Sequence, residues 1–447
     1  MRIEIRIVAL LILGLLSCTD TKLDTVSGDY YDWTITGQPE RPWMRDYNKT
    51  LITKFFLCSR DGNGEVDKVD LTFEQALEVI KKLDRITMGI PKVVYLVGWQ
   101  FNGHDSKYPS WGEVNESLKR EQDSTALQSL KWLIRSAREH NTTVSLHLNM
   151  IDAFEDSPLW DTYLQEDVIA KDSTGQPISG EVFWDMQSYQ ISYAREWEVG
   201  LSQKRIDGLL EMLPELIEGG TIHIDAFHSM RPSGVGEPIS PYLGYTIEEE
   251  IAAQRKIFRY WRDKGMDVTC EAGMYWLRQD PFLGLQAASW HNTAQNFQEE
   301  QWLGKPSDFL ELPVALSAYT PMQCEQEIMR DPDSLSGLIE QVATRLVPWY
   351  IERNTPKSEI PSWYTNTDSL VVAPVQWQAA TLIAYSPSTP LVQTLELGDS
   401  AFGKWKKMEV AELGLNGRVA QDTLAIDNGN VTLQLDPGSV WVLRGID

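Results

Sequence analysis

The sequence predicts an α/β protein, with a (β/α)8 barrel of the TIM type over residues 46–355 and a small antiparallel β-sandwich over residues 365–447. Three observations support this prediction. Strand-like and helix-like patterns alternate from residue 51 to about residue 352. Residues 355–365 contain two prolines and no periodic apolar stripe, as expected of a linker. Short strand-like runs separated by Gly, Asn, Asp or Pro then continue to the C-terminus.

The alternation can be followed element by element. Strands are predicted where apolar residues run together or alternate, and helices where they recur at a period near 3.6. In chain order these elements are a strand at 51–58, a helix at 73–86, a strand at 92–99, a helix at 124–140, a strand at 142–152 and a helix at 196–213. The connecting predictions are a Gly-rich turn at 61–67, an aromatic loop at 153–195 and a further helix around 334–352.

Two later strand-like segments, residues 221–229 and 266–273, each carry an acidic residue near the strand end. Period-two alternation places Asp225 on the same face as His223, and Glu271 on the same face as Thr269. A parallel strand buried between helices and a core is normally apolar on both faces. The polar faces of these two strands therefore indicate a polar interior.

The segment between these strands has the pattern of a helix. Thr246, with Glu249 three residues later, forms a capping-box pattern, and Gly265 is a natural stop after the apolar stripe. A helical crossover makes the two strands parallel neighbours whose carboxyl ends lie on one side. In an α/β barrel that side carries the chemistry, so Asp225 and Glu271 are predicted at one rim.

A third strand, at 142–152, repeats the polar face. Val144, Leu146 and Leu148 alternate there with His147 and Asn149. Three strands with polar inner faces predict a pocket lined by polar side chains.

The first residues predict export and lipidation. Residues 1–17 have a short basic start and an apolar run too short to span a bilayer, as in a signal peptide. The sequence Leu-Leu-Ser-Cys resembles a bacterial lipobox, which makes Cys18 the predicted lipidation site and residues 18–45 a polar tether. The prediction is therefore a protein of the bacterial cell envelope, held at the membrane only through the lipid on Cys18.

The net charge limits the kinds of partner that the sequence predicts, and the cysteine and histidine spacings limit the kinds of site. A formal net charge of −24 repels nucleic acid and anionic lipid, so a glycan or glycoprotein is the expected partner. Cys58, Cys270 and Cys324 are too widely spaced for a disulfide framework or a zinc site. No two histidines have the i, i+4 spacing of a zinc protease. Neither a cofactor nor a metal is expected.

Paired carboxylates in a polar pocket suit glycoside hydrolysis, in which one carboxyl attacks or stabilises the anomeric centre and the other protonates the leaving oxygen. Glu271 has the more apolar neighbours and is the predicted acid/base, whereas Asp225 is the predicted nucleophile. Tryptophans are placed to stack on sugar rings in loops at the predicted rim: Trp99, Trp111, Trp160, Trp184, Trp276 and Trp290.

A series of motifs identifies a family resemblance. In order they are the sequence Gly-His-Asp-Ser at 103–106 with Pro109 and Trp111 after it, His147-x-Asn149, the aromatic segment containing Trp184, Gln187, Ser188 and Tyr189, then Asp225 and Glu271. From about residue 90 to residue 275 the chain resembles the endo-α-N-acetylgalactosaminidases, glycoside hydrolase family 101.

The resemblance implies a retaining mechanism with a glycosyl-enzyme at Asp225, Glu271 as acid/base, Asp105 bound to sugar hydroxyls and Trp184 stacked on the ring. It also implies α-linked GalNAc or galactosyl glycans, such as mucin O-glycans, as substrates. Together the patterns and the resemblance give these substrate-binding candidates: His104, Asp105, His147, Asn149, Trp184, Gln187, His223, Trp99 and Trp290.

The chain departs from the family in three respects. Val182 stands where the family has a second Trp, the interval from Asp225 to Glu271 is longer, and the large accessory modules are missing. Two alternative functions stay open. Val182 and the tether suggest a surface lipoprotein that binds glycans without cleaving them, and the histidines suggest a metal-dependent hydrolase.

Overall fold

The computed structural model describes residues 45–46, 49–225, 227, 239–270, 320–322, 324–335, 337–398 and 404–447. The predictions for residues 1–17, for Cys18 and almost all of the tether, and for Glu271 and Trp290 lie outside these residues.

A five-stranded parallel sheet organises the N-terminal part of the chain. The strands of this part, in chain order, are β1 (Leu51–Phe56), β2 (Cys58–Arg60), β3 (Val66–Val69), β4 (Lys92–Val97), β5 (Thr142–Asn149), β6 (Asp152–Ala153), β7 (Ser179–Phe183), β8 (Met186–Gln190), β9 (Thr221–Asp225) and β10 (Asp267–Cys270). The parallel sheet has the order β1-β4-β5-β9-β10, so consecutive members lie side by side. This arrangement confirms the α/β class.

Helices connect the parallel strands. The helices are α1 (Phe73–Ile86), α2 (Ala126–Ala137), α3 (Trp160–Gln165), α4 (Tyr193–Glu198), α5 (Leu201–Met212), α6 (Glu215–Gly219), α7 (Ile247–Asp263), α8 (Glu325–Arg330), α9 (Leu338–Gln341) and α10 (Val347–Asn354). Short 3-10 turns occupy Glu116–Leu118, Arg138–His140 and Lys357–Glu359, and a π-helical turn occupies Val342–Leu346.

The predicted crossover between β9 and β10 is confirmed. Thr246 accepts a hydrogen bond from the backbone N–H of Glu249, and the Glu249 side chain accepts one from the Thr246 N–H, which together form a capping box. β9 and β10 pair in parallel, with Thr269 opposite His223 and Cys270 opposite Ile224. The carboxyl ends of both strands therefore lie at the same edge of the sheet.

The register between β5 and β9 brings the two polar faces together. His147 lies opposite His223, and Asn149 lies opposite Asp225. Side chains two residues apart on a strand share a face, so His147 and His223 form one layer and Asn149 and Asp225 form the next layer toward the carboxyl ends.

Three sequence predictions are corrected. The helix predicted at 196–213 is interrupted, because Gly200 adopts a left-handed conformation (φ 76°) between α4 and α5. The strand predicted at 51–58 is divided into β1 and β2, and β2 turns away to pair with β3. The loop predicted at 153–195 contains the antiparallel hairpin β7–β8, which also pairs with β6.

The C-terminal part is antiparallel. Its strands are β11 (Thr365–Thr367), β12 (Leu370–Pro374), β13 (Thr381–Tyr385), β14 (Leu391–Glu396), β15 (Lys407–Gly414), β16 (Gly417–Ala425), β17 (Asn430–Leu435) and β18 (Val440–Ile446). Six of them form the sheet β11-β12-β13-β18-β15-β16, and β14 pairs with β17. Apolar side chains from both sheets, among them Leu382, Leu395 and Leu433, form one buried cluster.

The closed (β/α)8 barrel stays a prediction, since the five parallel strands account for only part of it. Within the part of the chain that the structure describes, every helix is too short or too polar to cross a membrane.

Candidate active site

A cavity of about 660 Å³ opens at the carboxyl ends of β5 and β9, within the range of roughly 300 to 1,000 Å³ typical of small-molecule sites. The loop after β4, the turn after β5 and the β7–β8 hairpin enclose it. Its lining residues are His104, Asp105, Asn149, Ile151, Asp152, Gly180, Glu181, Val182, Phe183, Trp184, Gln190 and Asp225.

Asp225 is the last residue of β9, and its side chain is 17% exposed. One of its carboxyl oxygens, Oδ2, lies 3.3 Å from Nε2 of His147 on the neighbouring strand β5. The imidazole is almost completely buried. A carboxylate held beside an imidazole in a mostly buried position is oriented by its neighbour and still reaches the cavity.

The histidines form a continuous column of rings. His104 lies edge-on to His147 with ring centroids 5.3 Å apart, His147 stacks on His223 at 5.3 Å, and His223 packs against Tyr95 at 5.1 Å. Nδ1 of His223 lies 3.0 Å from Oγ1 of Thr269 on β10. The prediction that His223 binds substrate is wrong: it is fully buried one layer below the cavity, where it supports His147.

Asp105 projects into the cavity from the loop after β4. Its backbone is left-handed (φ 55°), and its carbonyl oxygen accepts a 2.7 Å hydrogen bond from Nε of the buried Arg60. Its Oδ2 accepts a hydrogen bond from the Trp184 indole at 3.3 Å and lies 3.4 Å from Nε2 of His104. Burial raises the pKa of Asp105, the charge of Asp225 raises it further, and His104 and Trp184 oppose the shift.

Trp184 lies at the tip of the β7–β8 hairpin and is 43% exposed. Its ring lines the cavity, so its position agrees with the predicted stacking role. Gln187 differs from its prediction. Its side-chain amide donates to the carbonyl oxygens of Gly180 (3.0 Å) and Ser188 (2.8 Å), so Gln187 stabilises the hairpin and is not a residue of the cavity wall.

Asn149 lines the cavity, but its amide is engaged in the turn that follows β5. Oδ1 accepts hydrogen bonds from the backbone N–H groups of Ile151 (2.7 Å) and Asp152 (2.9 Å), and Nδ2 donates to Oδ2 of Asp152 at 2.7 Å. The amide therefore fixes the turn and positions the carboxyl group of Asp152.

Trp99 is also corrected. It is fully buried, and its indole N–H donates a 3.0 Å hydrogen bond to the carbonyl oxygen of His147. A ring with no exposed surface cannot stack on a sugar. Trp99 instead packs beneath the site and fixes the end of β5.

Replacement of this indole is expected to lower stability. Trp99→Phe removes the hydrogen bond to His147 and leaves part of the buried volume unfilled, so the free energy of unfolding should fall by about 1 to 3 kcal/mol in urea titrations. Tyr242→Phe is the control, because this aromatic side chain is 52% exposed and the change should stay within about 0.5 kcal/mol. Equal unfolding free energies for the Trp99 variant and the parent would contradict this role.

The cluster also offers metal ligands. One nitrogen from each of His104 and His147 and one carboxylate oxygen of Asp225 all lie within 4.8 Å of one another. Imidazole and carboxylate are ligands that zinc accepts. This geometry keeps the metal-dependent alternative open to experiment.

The structure thus brings together His104, Asp105, His147, Asn149, Trp184 and Asp225. Sequence reasoning missed Asp152 and the hairpin residues Glu181 and Phe183, which line the same cavity. For Asp152 a signal was present, because it is an acidic residue three positions beyond Asn149, just past the end of a polar-faced strand. The hairpin residues carried no comparable signal, because their cavity positions depend on how β7 and β8 pair.

Comparison with known families gives one match that covers this site. Residues 66–273 match the family model described as endo-alpha-N-acetylgalactosaminidase, glycoside hydrolase family 101. The chain resembles the endo-α-N-acetylgalactosaminidases. Asp105, His147, Trp184 and Asp225 all lie within the matched range. The predicted resemblance is confirmed, and the chain carries a glycoside hydrolase domain.

Solved structures show more distant likenesses. A quadruple mutant of the alpha-N-acetylgalactosaminidase NagBb from Bifidobacterium bifidum is 13% identical, with a TM-score of 0.38 over 50% of this chain and 35% of that chain. The alpha-galactosidase AgaA from Geobacillus stearothermophilus is 11% identical, with a TM-score of 0.40 over 89% and 55%. The alpha-galactosidase TtGalA from Thermus thermophilus is 14% identical, with a TM-score of 0.32 over 52% and 39%. With TM-scores below 0.5, these likenesses carry no functional argument.

Proposed function

We propose that the protein is a retaining glycoside hydrolase that acts on α-linked GalNAc or galactosyl glycans such as mucin O-glycans. Asp225 is the nucleophile and Glu271 the acid/base in this proposal. The observation that carries it is the Asp225 carboxyl, which lies at the carboxyl end of β9 and lines the cavity, 3.3 Å from His147.

The surroundings of Asp225 suit a nucleophile. A nucleophilic carboxylate must be ionised, and one of its oxygens must be able to reach the anomeric carbon. It cannot do so if an ion pair that only stabilises the fold occupies both oxygens. The His147 imidazole, 3.3 Å away, stabilises the charged form of Asp225 when the imidazole is protonated, and the side chain of Asp225 keeps 17% of its surface exposed. The carboxylate is thus oriented from one side and open to the cavity on the other.

The strand register supports Glu271 as its partner. Thr269 on β10 pairs with His223 on β9. In the sequence, Asp225 follows His223 by two positions and Glu271 follows Thr269 by two positions. Neighbouring strands lie about 4.8 Å apart, and the two carboxyls of a retaining glycosidase are separated by about 5 to 5.5 Å. Adjacent strands in this register therefore suit the retaining geometry.

The cavity walls supply sugar-binding chemistry. The partly exposed Trp184 offers an apolar face for the C–H side of a ring, and its N–H is oriented by Asp105. Carboxyl oxygens of Asp105 then accept hydrogen bonds from sugar hydroxyls. Val182 lies at the rim of the cavity and is 61% exposed, so the cavity is open to solvent on this side.

The proposal includes the arrangement of the whole chain. The parallel sheet is taken to continue into a closed (β/α)8 barrel over residues 46–355, with a β-sandwich over residues 365–447. The leader and Cys18 make the protein a lipoprotein of the bacterial cell envelope, facing the periplasm or the exterior, where glycoproteins are accessible.

The direct test is a substrate screen. Purified protein is incubated with mucin O-glycopeptides, aryl α-N-acetylgalactosaminides and aryl α-galactosides, with the aryl β-galactoside as a control, and released sugar is quantified. We expect release from α-linked substrates alone. Glycan binding in calorimetry without any product would favour the glycan-binding alternative, and neither binding nor release would overturn the proposal.

The cluster of His104, His147 and Asp225 motivates a second test, of the metal-dependent alternative. The proposed mechanism needs no metal, so activity should remain within about twofold after dialysis against excess chelator, since no step would then lose Lewis-acid stabilisation. Metal content of the dialysed protein is measured in parallel. Loss of activity on chelation and its return with zinc would favour the metal-dependent hydrolase.

A further inference from the structure

We propose that Asp152 is a binding residue of the same cavity, which recognises a hydroxyl group of the sugar ring. The proposal rests on the glycosidase function proposed above and adds a residue that decides which sugar the site accepts. Asp152 begins β6, three residues beyond Asn149 at the end of β5.

The position of Asp152 is fixed from two sides. Its backbone N–H donates to Oδ1 of Asn149 at 2.9 Å, and its Oδ2 accepts from Nδ2 of the same residue at 2.7 Å. On its other side, Asp152 is held by strand pairing, because β6 pairs with β8 and Asp152 lies opposite Gln190. Gln190 and Asp152 both line the cavity. The carboxyl group is thus preorganised, which lowers the entropic cost of binding a ligand.

Asp152 keeps hydrogen-bonding capacity for a ligand. A carboxyl group has about four acceptor positions, and the bonds from Asn149 and Ser188 use two of them. The residue is only partly buried, so the group remains accessible from the cavity. A hydroxyl group, which both donates and accepts, is the complementary partner.

The charges around Asp152 favour a neutral ligand. Burial, together with the charges of Asp105 and Asp225, raises the pKa of Asp152 to about 7, although the hydrogen bonds from Asn149 and Ser188 act to lower it. Near neutral pH a large fraction of the group is therefore protonated and is able to donate as well as accept. Four acidic residues line the cavity, Glu181 being the fourth, and together they would repel an anionic ligand but accept a neutral sugar.

The test pairs deletion of the side chain with deletion of each sugar hydroxyl. Binding of methyl α-N-acetylgalactosaminide and of its 3-, 4- and 6-deoxy analogues is measured by calorimetry, with Asp225→Asn as the background so that no sugar is hydrolysed. In this background we expect one deoxy analogue to bind about 10-fold more weakly than the parent glycoside. After Asp152→Ala in addition, that analogue and the parent glycoside should bind equally.

Two further variants separate recognition from folding. Asp152→Asn keeps a donor and an acceptor at the same place and should restore the parent affinity to within about threefold. Glu155→Gln changes an exposed carboxyl that bonds to Tyr189 and does not line the cavity, and it should leave the deoxy-sugar penalty intact. Thermal unfolding of each variant shows whether the turn after β5 has been disturbed.

The outcomes are distinguishable. If the deoxy-sugar penalty is the same with Ala as with Asp at position 152, the role of Asp152 is overturned and the glycosidase proposal stands. If no α-glycoside binds the Asp225→Asn protein and the wild-type protein releases no sugar, both proposals are overturned together.

Discussion

Asp225→Asn is expected to reduce turnover of an aryl α-N-acetylgalactosaminide by about 1000-fold or more. The amide has nearly the same shape as the carboxylate but cannot attack the anomeric carbon, so the glycosyl-enzyme does not form. The initial rate of aryl alcohol release gives kcat and kcat/KM. Asp368→Asn, a change at an exposed position in the turn between β11 and β12, is the matched control and should have wild-type kinetics.

The loss should be confined to the chemical step. The amide that Asp225→Asn introduces preserves the shape of the cavity, so calorimetry should still detect sugar binding by the variant. Undiminished turnover would remove Asp225 from the mechanism. Loss of both binding and thermal stability would assign Asp225 a structural role instead.

Glu271→Gln is expected to have an effect that depends on the leaving group. Glutamine cannot donate a proton to the glycosidic oxygen, so hydrolysis of a mucin-type glycopeptide, whose Ser or Thr oxygen is a poor leaving group, should fall by about 100- to 10,000-fold. A dinitrophenyl glycoside needs little protonation, and its cleavage to the glycosyl-enzyme should be much less affected. Pre-steady-state bursts of dinitrophenol measure that first step directly.

A small external nucleophile provides the control. Azide attacks the glycosyl-enzyme without base assistance, so it should accelerate turnover of the dinitrophenyl glycoside by Glu271→Gln and leave wild-type turnover almost unchanged. Equal losses on both leaving groups, without rescue by azide, would contradict the acid/base assignment.

The local sequence pattern predicts the parallel sheet well where polar and apolar residues alternate regularly along a strand. The alternation of Ile222 and Ile224 with His223 and Asp225 gives the strand and its faces correctly, because the apolar pair is buried in the core and Asp225 reaches the cavity. The capping box at Thr246 places the start of α7 correctly. These features depend only on residues near in sequence.

The alternation of apolar and polar residues along a strand does not show how deeply a polar side chain is buried in the site. His223 and Asp225 share a face, yet His223 is fully buried because Tyr95 of β4, His147 of β5 and Thr269 of β10 pack around it. Trp99 is likewise buried, and its indole N–H donates a hydrogen bond to the backbone carbonyl of His147 in β5. Such outcomes depend on the register between strands that are distant in sequence.

The sequence does not predict the β7–β8 hairpin, because this hairpin too depends on contacts with residues distant in sequence. Residues 179–190 are polar, aromatic and largely exposed, so no apolar period indicates two strands. The hairpin is held by contacts with the loops around it: Trp184 bonds to Asp105, and the amide of Gln187 bonds to the hairpin backbone. Its effect on the site is large, because it forms one wall of the cavity.

The stereochemistry of the first product is the most direct test of the central claim that Asp225 attacks the sugar. NMR spectra recorded within the first minutes of hydrolysis of an aryl α-N-acetylgalactosaminide, before mutarotation, show which anomer the enzyme releases. Double displacement through a glycosyl-enzyme predicts that the α anomer appears first. Initial release of the β anomer would mean that water attacks the sugar directly, which contradicts a nucleophilic role for Asp225.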